Sequence, residues 1–345
     1  MKKMKKYSIA LIPGDGVGLE IIGATRQVLL ALQDKYPYAQ MDFTEYAAGK
    51  VAYEKFGDSL PKETLEGIAQ SDATLMGAMA TGLVPPPSPM GKLRKEMDLY
   101  ADVRPIRSYP GVWCHRSDLD IVVIRESTQG FLADRNLYKG SGEFMPDENT
   151  VLSLRVLTRA ACERIAQFAF DYARRLKRRK ITIAHKANVL RLGDNFFLEI
   201  CRKVATNFPE ITVNDEYIDT VANKLITKPE DYDVILTTNM YGDIISDEAA
   251  ALVSSLVPTA NFGKSCAIFR PIHEALLEIA GKNIVNPLPT ILCAVMMLEY
   301  LGETEMAQKL QAAIAKVLEK GKVRTRDLGG QASTEDMTQA LISAL

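Results

Sequence analysis

Short apolar runs alternate along the chain with longer stretches whose apolar residues recur at helical spacing. YSIALI, MDFTEYAAG, ATLMGAM, LDIVVIRES, KITIAHK, ITVNDEYID and DVILTT read as strands. Between and after them, EIIGATRQVLLALQ, PKETLEGIAQS, TRAACERIAQFAFDYARRLK, DNFFLEICRKVATNF and ISDEAAALVSSLV read as helices. HEALLEIAG, PTILCAVMMLEYLG and EMAQKLQAAIAKVLEKG add further helical patterns toward the end. TGLVPPPSPMGK, with its clustered prolines, reads as a stiff surface loop that no regular element can hold. TQGFLADRNLYKGSGEFMPDENTV is Gly-rich and polar and reads as an excursion from the core. Strand–helix alternation of this kind predicts an α/β protein with a largely parallel sheet.

In such sheets the polar residues that do chemistry gather beyond the strand C-termini. The predicted strands deliver Arg125 and Glu126, Lys186 and Asn188, Asp219, and Asp243 to those ends. Asp243 and Asp247 are four apart, so on a helix both carboxylates share one face. Acids there serve a helix N-terminus, face water, or share a cation. Asp219 is the candidate for a third oxygen ligand, and three carboxylates suit a hard divalent ion that keeps positions for water and substrate. Lys186 reads either as a general base or charge stabiliser, or as a solvated strand-end lysine. Arg94, Arg104 and Arg125 could clamp a polycarboxylate through paired hydrogen bonds, although each alone also fits a surface arginine.

Composition narrows the partners. The 42 Lys and Arg nearly cancel the 43 Asp and Glu, so no basic excess points to nucleic acid or an anionic membrane. The basic cluster from Arg174 to Lys180 reads as the solvated end of a helix. No apolar run reaches membrane-spanning length. Five scattered cysteines fit reduced thiols and a cytoplasmic location. With only three histidines, also scattered, a catalytic metal must rest on oxygen ligands, hence Mg²⁺ or Mn²⁺. IPGDGVG supplies Gly14, Gly16 and Gly18, but Leu19 stands where a dinucleotide fingerprint needs its last glycine, so the stretch supports only a tight strand-to-helix turn. A length of 345 residues suggests about two domains.

LIPGDGVGLEI, LRKEMDLYADVRP, AHKANVL, VILTTNMYGDIISDEAA, EIAGKNIVNP and DLGGQASTEDMTQAL, in this order, resemble the blocks of the β-decarboxylating dehydrogenases of isocitrate, homoisocitrate and 3-isopropylmalate and their malate/tartrate relatives. The resemblance covers essentially the whole chain. It implies a two-domain, non-Rossmann, isopropylmalate-dehydrogenase-like fold: residues 1–101 with 254–345 as the cofactor-side domain, and 102–253 as a smaller dimerisation and metal-site domain. It implies a homodimer with shared active sites in a cleft, in which Lys186 and Asp219 come from the neighbouring subunit and Asp243 and Asp247 from the chain that holds substrate. The implied reaction is oxidation of a 2-hydroxy acid by the nicotinamide followed by loss of the β-carboxylate. Mg²⁺ or Mn²⁺ would be held by Asp219, Asp243 and Asp247, substrate by Arg94, Arg104 and Arg125, and Lys186 would be the base or proton relay.

The same resemblance singles out further residues. Glu278 stands where NAD-users carry an acid, which implies NAD, with His273, Ala280, Asn286 and Asn188 as further cofactor contacts. Leu132 replaces the tyrosine that donates a proton after decarboxylation, and Tyr138 is the candidate substitute. HEALLE departs from the usual nicotinamide-facing sequence. Ser88, six residues before Arg94, matches the serine that meets a γ-carboxylate in isocitrate enzymes, and Lys92 adds positive charge. Pro87, Met90 and Gly91 could instead wall an isopropyl group. The expected substrate is isocitrate or homoisocitrate. The alternatives are 3-isopropylmalate, malate or tartrate, and, in another class, a non-catalytic regulatory subunit that binds a tricarboxylate.

Overall fold

A computed structural model describes residues 5–85, 87–131, 142–254 and 256–345. The expectations at Leu132 and Tyr138 fall outside them. The chain divides into two compact units: Met1–Met97 with Ser108–Ser117 and Leu256–Leu345, and Asp98–Arg107 with Asp118–Ser255.

The first unit builds on strands β1 (Lys5–Ile12), β2 (Ala39–Glu45), β3 (Ala73–Met76), and the late β11 (Pro258–Phe262) and β12 (Ala267–Pro271). Their order is β2-β1-β3-β12-β11, parallel except for the β11–β12 pair. Helices α1 (Gly18–Lys35), α2 (Lys50–Phe56), α3 (Lys62–Gln70), α4 (Pro89–Glu96), α9 (Leu288–Tyr300), α10 (Thr304–Lys320) and α11 (Thr334–Ala344) complete it. Helix α9 is buried on every side from Leu288 to Leu298, as an apolar helix against a sheet must be, and packs on β12, β11 and β3.

The second unit carries β4 (Ala101–Arg107), β5 (Asp120–Glu126), β8 (Lys180–His185), β9 (Thr212–Tyr217) and β10 (Val234–Thr237), in the order β4-β5-β10-β8-β9. All neighbours are parallel except β4 and β5. Helices α5 (Arg159–Arg175), α6 (Gly193–Ala205), α7 (Ile218–Thr227) and α8 (Asn239–Leu252) belong to this unit, as does an exposed antiparallel hairpin, β6 (Glu143–Asp147) with β7 (Thr150–Ser153). Of the basic cluster, Arg174 and Arg175 are the exposed last turn of α5, whereas Arg178 lies beyond the helix and pairs with Asp120 and Asp233.

Three expectations change. The proline-rich loop ends sooner than predicted, because Pro89 takes the first position of α4 and Ser88 caps it, its Oγ accepting the Gly91 N–H at 3.1 Å. Proline is tolerated there, where the missing N–H would have no partner anyway. Asp219 lies in the first turn of α7 rather than at the end of a strand. HEALLEIAG forms no helix beyond a single tight turn at Leu277–Ile279. Leu276 and Gly281 on either side have φ of 43° and 74°, which a continuous helix does not allow.

Candidate active site

Parallel pairing sets the strand ends of the second unit side by side: Thr237 is opposite both Arg125 and Ala184, and His185 is opposite Tyr217. The residues just beyond each strand therefore collect along one edge of the sheet. Arg125 is almost fully buried, and its Nε and Nη2 donate to Asn239 Oδ1 at 3.0 and 2.6 Å. Its Nη1 reaches Asp243 Oδ1. Arg104, on β4, donates from Nη1 to Ser246 Oγ and to Asp247 Oδ1, both at 2.7 Å, and from Nη2 to Asp243 Oδ1 at 2.9 Å. Behind both arginines lies Asp102, fully buried, 3.3 Å from Arg104 Nε and 4.0 Å from Arg125 Nη1. Burial alone would discourage the Arg104 charge, but the carboxylates of Asp102, Asp243 and Asp247 outweigh it and raise its pKa. Gly242 makes this closeness possible, because a Cβ there would lie 2.7 Å from Arg125 Cβ.

Lys186 Nζ pairs with Asp219, and that cation holds the Asp219 carboxyl below its ordinary range. The Lys186 backbone is fixed by Asp194, a fully buried aspartate at the start of α6, which accepts the Lys186 N–H at 2.6 Å and pairs with Arg155 at 2.5 Å. Asn188 is exposed on the turn just beyond. Among the described residues, no three His, Cys, Asp or Glu side chains of one chain gather closely enough to hold an ion. Asp219 keeps company with Lys186, while Asp243 and Asp247 keep company with the arginines.

The remaining candidates lie in the first unit. His273 Nδ1 donates to Glu274 O, 3.0 Å away, while its Nε2 is sealed from water without a hydrogen-bond partner among the described residues. Burial lowers its pKa, so the ring is neutral at pH 7. Glu278 is exposed on the tight turn, and Ala280 is half-buried. Asn286, just before α9, accepts the N–H of its first residue, Leu288, at 2.9 Å through Oδ1, and its Nδ2 donates to Asp327 at 2.8 Å. Arg94 sits half-buried in the last turn of α4. Lys92 on α4 pairs with Asp58 and depresses the Asp58 pKa, and the Leu60 N–H adds to the effect.

A model of the family "Isocitrate/isopropylmalate dehydrogenase" matches residues 8–341. The chain belongs to the isocitrate/isopropylmalate dehydrogenase family. It is 43% identical to a 3-isopropylmalate/3-methylmalate dehydrogenase of Methanocaldococcus jannaschii, over 96% of this chain and 97% of that protein. It is 42% identical to an isocitrate/homoisocitrate dehydrogenase of Thermus thermophilus, over 98% of each. An isocitrate dehydrogenase structure from Methylococcus capsulatus superposes with a TM-score of 0.88 at 35% identity, over 98% of this chain and 99% of that one.

Members of the isocitrate/isopropylmalate dehydrogenase family are decarboxylating dehydrogenases that use NAD(P) and a divalent metal, generally as dimers acting on small carboxylates. The residues present fit both groups. Asp243 and Asp247 offer hard oxygen donors with no thiol or imidazole among them, which suits Mg²⁺ or Mn²⁺. The sealed His273 Nε2 needs a polar partner, which a bound dinucleotide could supply. Sequence reasoning missed Asp102, Asn239, Ser246, Asp194 and Arg155. Spacing could have found two of them: Asp102 shares a strand face with Arg104, and Asn239 lies one helical step before Asp243. Nothing in the sequence marks Asp194 or Arg155. No helix among the described residues is long and apolar enough to cross a membrane.

Proposed function

We propose that the chain oxidatively decarboxylates a 3-substituted malate, with NAD as oxidant and Mg²⁺ or Mn²⁺ as cofactor, and that the substrate is isocitrate or homoisocitrate. The observation that carries this reading is Arg104, one buried guanidinium divided between Asp243 and Asp247, with Arg125 reaching the same Asp243 oxygen. The two aspartate side chains are half-exposed or more, so their pairing with arginine is exchangeable. A substrate carboxylate can take over the guanidinium forks, which match its geometry. The freed aspartates are then available to an ion.

When bound, the ion would polarise the substrate hydroxyl and stabilise the enolate, and the dinucleotide would accept the hydride. The chain's own residues do the rest. Arg104 and Arg125 fix the carboxylates, with Arg94 as the third clamp. Lys186 takes the hydroxyl proton and returns one, and Asp219 holds it in place. Lys186 and Asp219 act from a second copy of the chain, which they reach together because they form one ion pair.

The terminal segments, 1–101 and 254–345, form the cofactor domain and 102–253 the dimerisation domain in this reading. The association of the terminal segments within one compact unit supports that assignment. The apolar residues that the second unit leaves in water support a dimer, among them Met145, Val151, Ile226 and Ile244, each between 58% and 62% exposed. NAD over NADP rests on Glu278, whose carboxylate can accept from ribose hydroxyls and repels a 2′-phosphate.

For the substrate, Met90 is buried, so the accessible side of the first turn of α4 is Ser88, Gly91 and Lys92. The Ser88 Oγ accepts a backbone N–H and keeps its own proton to donate to a carboxylate. One observation favours 3-isopropylmalate instead, namely that Asp58 already neutralises Lys92. The test is NADH formation from isocitrate, homoisocitrate, 3-isopropylmalate, malate and tartrate, with and without Mn²⁺. Mn²⁺-dependent NADH from isocitrate or homoisocitrate is expected. NADH from 3-isopropylmalate alone overturns the substrate, and none from any of them leaves a non-catalytic tricarboxylate-binding subunit.

A further inference from the structure

The Gly-rich turn after β1 lacks the last glycine of a dinucleotide fingerprint, yet its surroundings give it another use. Val17 N–H donates to Ala275 O at 2.9 Å, and a Cβ on Gly16 would strike that same oxygen at 2.0 Å. Val17 and Ile21 form one apolar cluster with Ala78, Ala275 and Val285, and Ile279 and Ala280 pack on it. Glu20, in the first turn of α1, reaches across to the segment between them: its Oε1 accepts the Asn283 N–H at 2.7 Å and its Oε2 the Gly281 N–H at 3.3 Å. Both residues are in the left-handed region, with φ of 74° at Gly281 and 57° at Asn283. An asparagine held there needs its surroundings to fix it. The far side of the turn is held by α11, whose Thr334 and Glu335 N–H groups donate to Asn283 O and Oδ1, each at 3.0 Å.

We propose that Glu20 is a positioning residue for the dinucleotide: its carboxylate sets the Gly281–Asn283 turn, and with it the attitude of the segment Glu278–Ala280 that faces the adenosine. This rests on the reading of the chain as an NAD enzyme. A carboxylate on two backbone N–H groups is a charge-assisted anchor, and side chains before that turn are aimed by it.

The experiment is calorimetric titration of wild type, Glu20→Gln and Glu20→Ala with NAD⁺ and NADP⁺, together with steady-state kinetics, melting temperature, and hydrogen exchange at the Gly281 and Asn283 amides. We expect the NAD⁺ Kd and KM to rise about tenfold in Glu20→Ala. Glu20→Gln keeps one carbonyl acceptor and should show a rise of about threefold. In both, kcat at saturating NAD⁺ stays within about twofold, because the reacting atoms are not touched. In Glu20→Gln at least one of the two amides exchanges faster, because the side-chain NH₂ that replaces one oxygen cannot accept from it. That last measurement needs only a folded Gln variant, and unchanged exchange overturns the anchor whatever the Ala variant does. A variant that loses melting temperature but binds NAD⁺ like wild type overturns the positioning role alone. A wild type that binds neither dinucleotide overturns the cofactor reading, and this assignment with it.

Discussion

Asp15 and Asp243 are the same residue type with opposite employment. Asp15, in the Gly-rich turn, is 2% exposed, and its carboxylate accepts the Val51 N–H at 3.2 Å and the Ala80 N–H at 2.9 Å. A Cβ on Gly49 would lie 2.3 Å from the carboxylate, so the backbone closes over it. Asp243, on α8, is half-exposed, and its carboxylate meets the tips of two arginine side chains. Backbone partners cannot leave without unfolding the turn, whereas a half-exposed aspartate side chain can swing off a guanidinium and leave it to another anion. A carboxylate matched to main-chain donors is therefore part of the scaffold, and one matched to long side chains is available for exchange.

The largest effect expected from this contrast is at Asp243. Asp243→Asn should lower kcat/KM by at least about a hundredfold, because an amide is a poor partner for a hard cation, while the unfolding midpoint falls only modestly, since Asp102 and Asp247 still face Arg104. Steady-state assay beside a melting curve checks both halves, and activity near wild type would remove Asp243 from the metal site. Asp15→Asn should do the reverse. Its amide NH₂ would face a backbone N–H, leaving a buried donor unsatisfied at a cost of about 1–3 kcal/mol of stability. Activity per folded molecule should stay within about twofold, and a denaturant titration beside the assay separates the two.

The smallest effect concerns Lys92, whose cation lowers the Asp58 pKa from the ordinary value of 3.8. A depressed carboxylate contributes stability that is present above its unfolded value and is lost as pH falls through the folded one. Lys92→Met should therefore raise the Asp58 midpoint, followed by carboxyl NMR, and shrink the stability difference between neutral pH and about pH 3. An unmoved midpoint would free Lys92 to meet a substrate carboxylate.

The alternation of strands and helices was legible because each unit is a sheet covered by helices, and burial imposes the two periods directly. The pairing of Asp243 with Asp247 was legible for the same reason, since α8 has a 3.6-residue period whatever surrounds it. The Leu277–Ile279 turn was not, because HEALLEIAG has helical spacing while its polar groups are satisfied sideways, by Val17 and Glu20 on a distant helix. Helix α4 was hidden by its prolines, one of which is the first residue of the helix itself. Asp194 was invisible as a site residue, because a buried acid has meaning only once the arginine opposite it, here Arg155, is known.

The ion pair between Lys186 and Asp219 has a genetic consequence under the proposed shared site. A copy crippled at that pair still offers intact arginines and α8 acids, and a copy crippled at Asp243 still offers an intact pair. Two such defective alleles expressed together would complement, because every hybrid assembly contains one pocket furnished entirely with sound side chains.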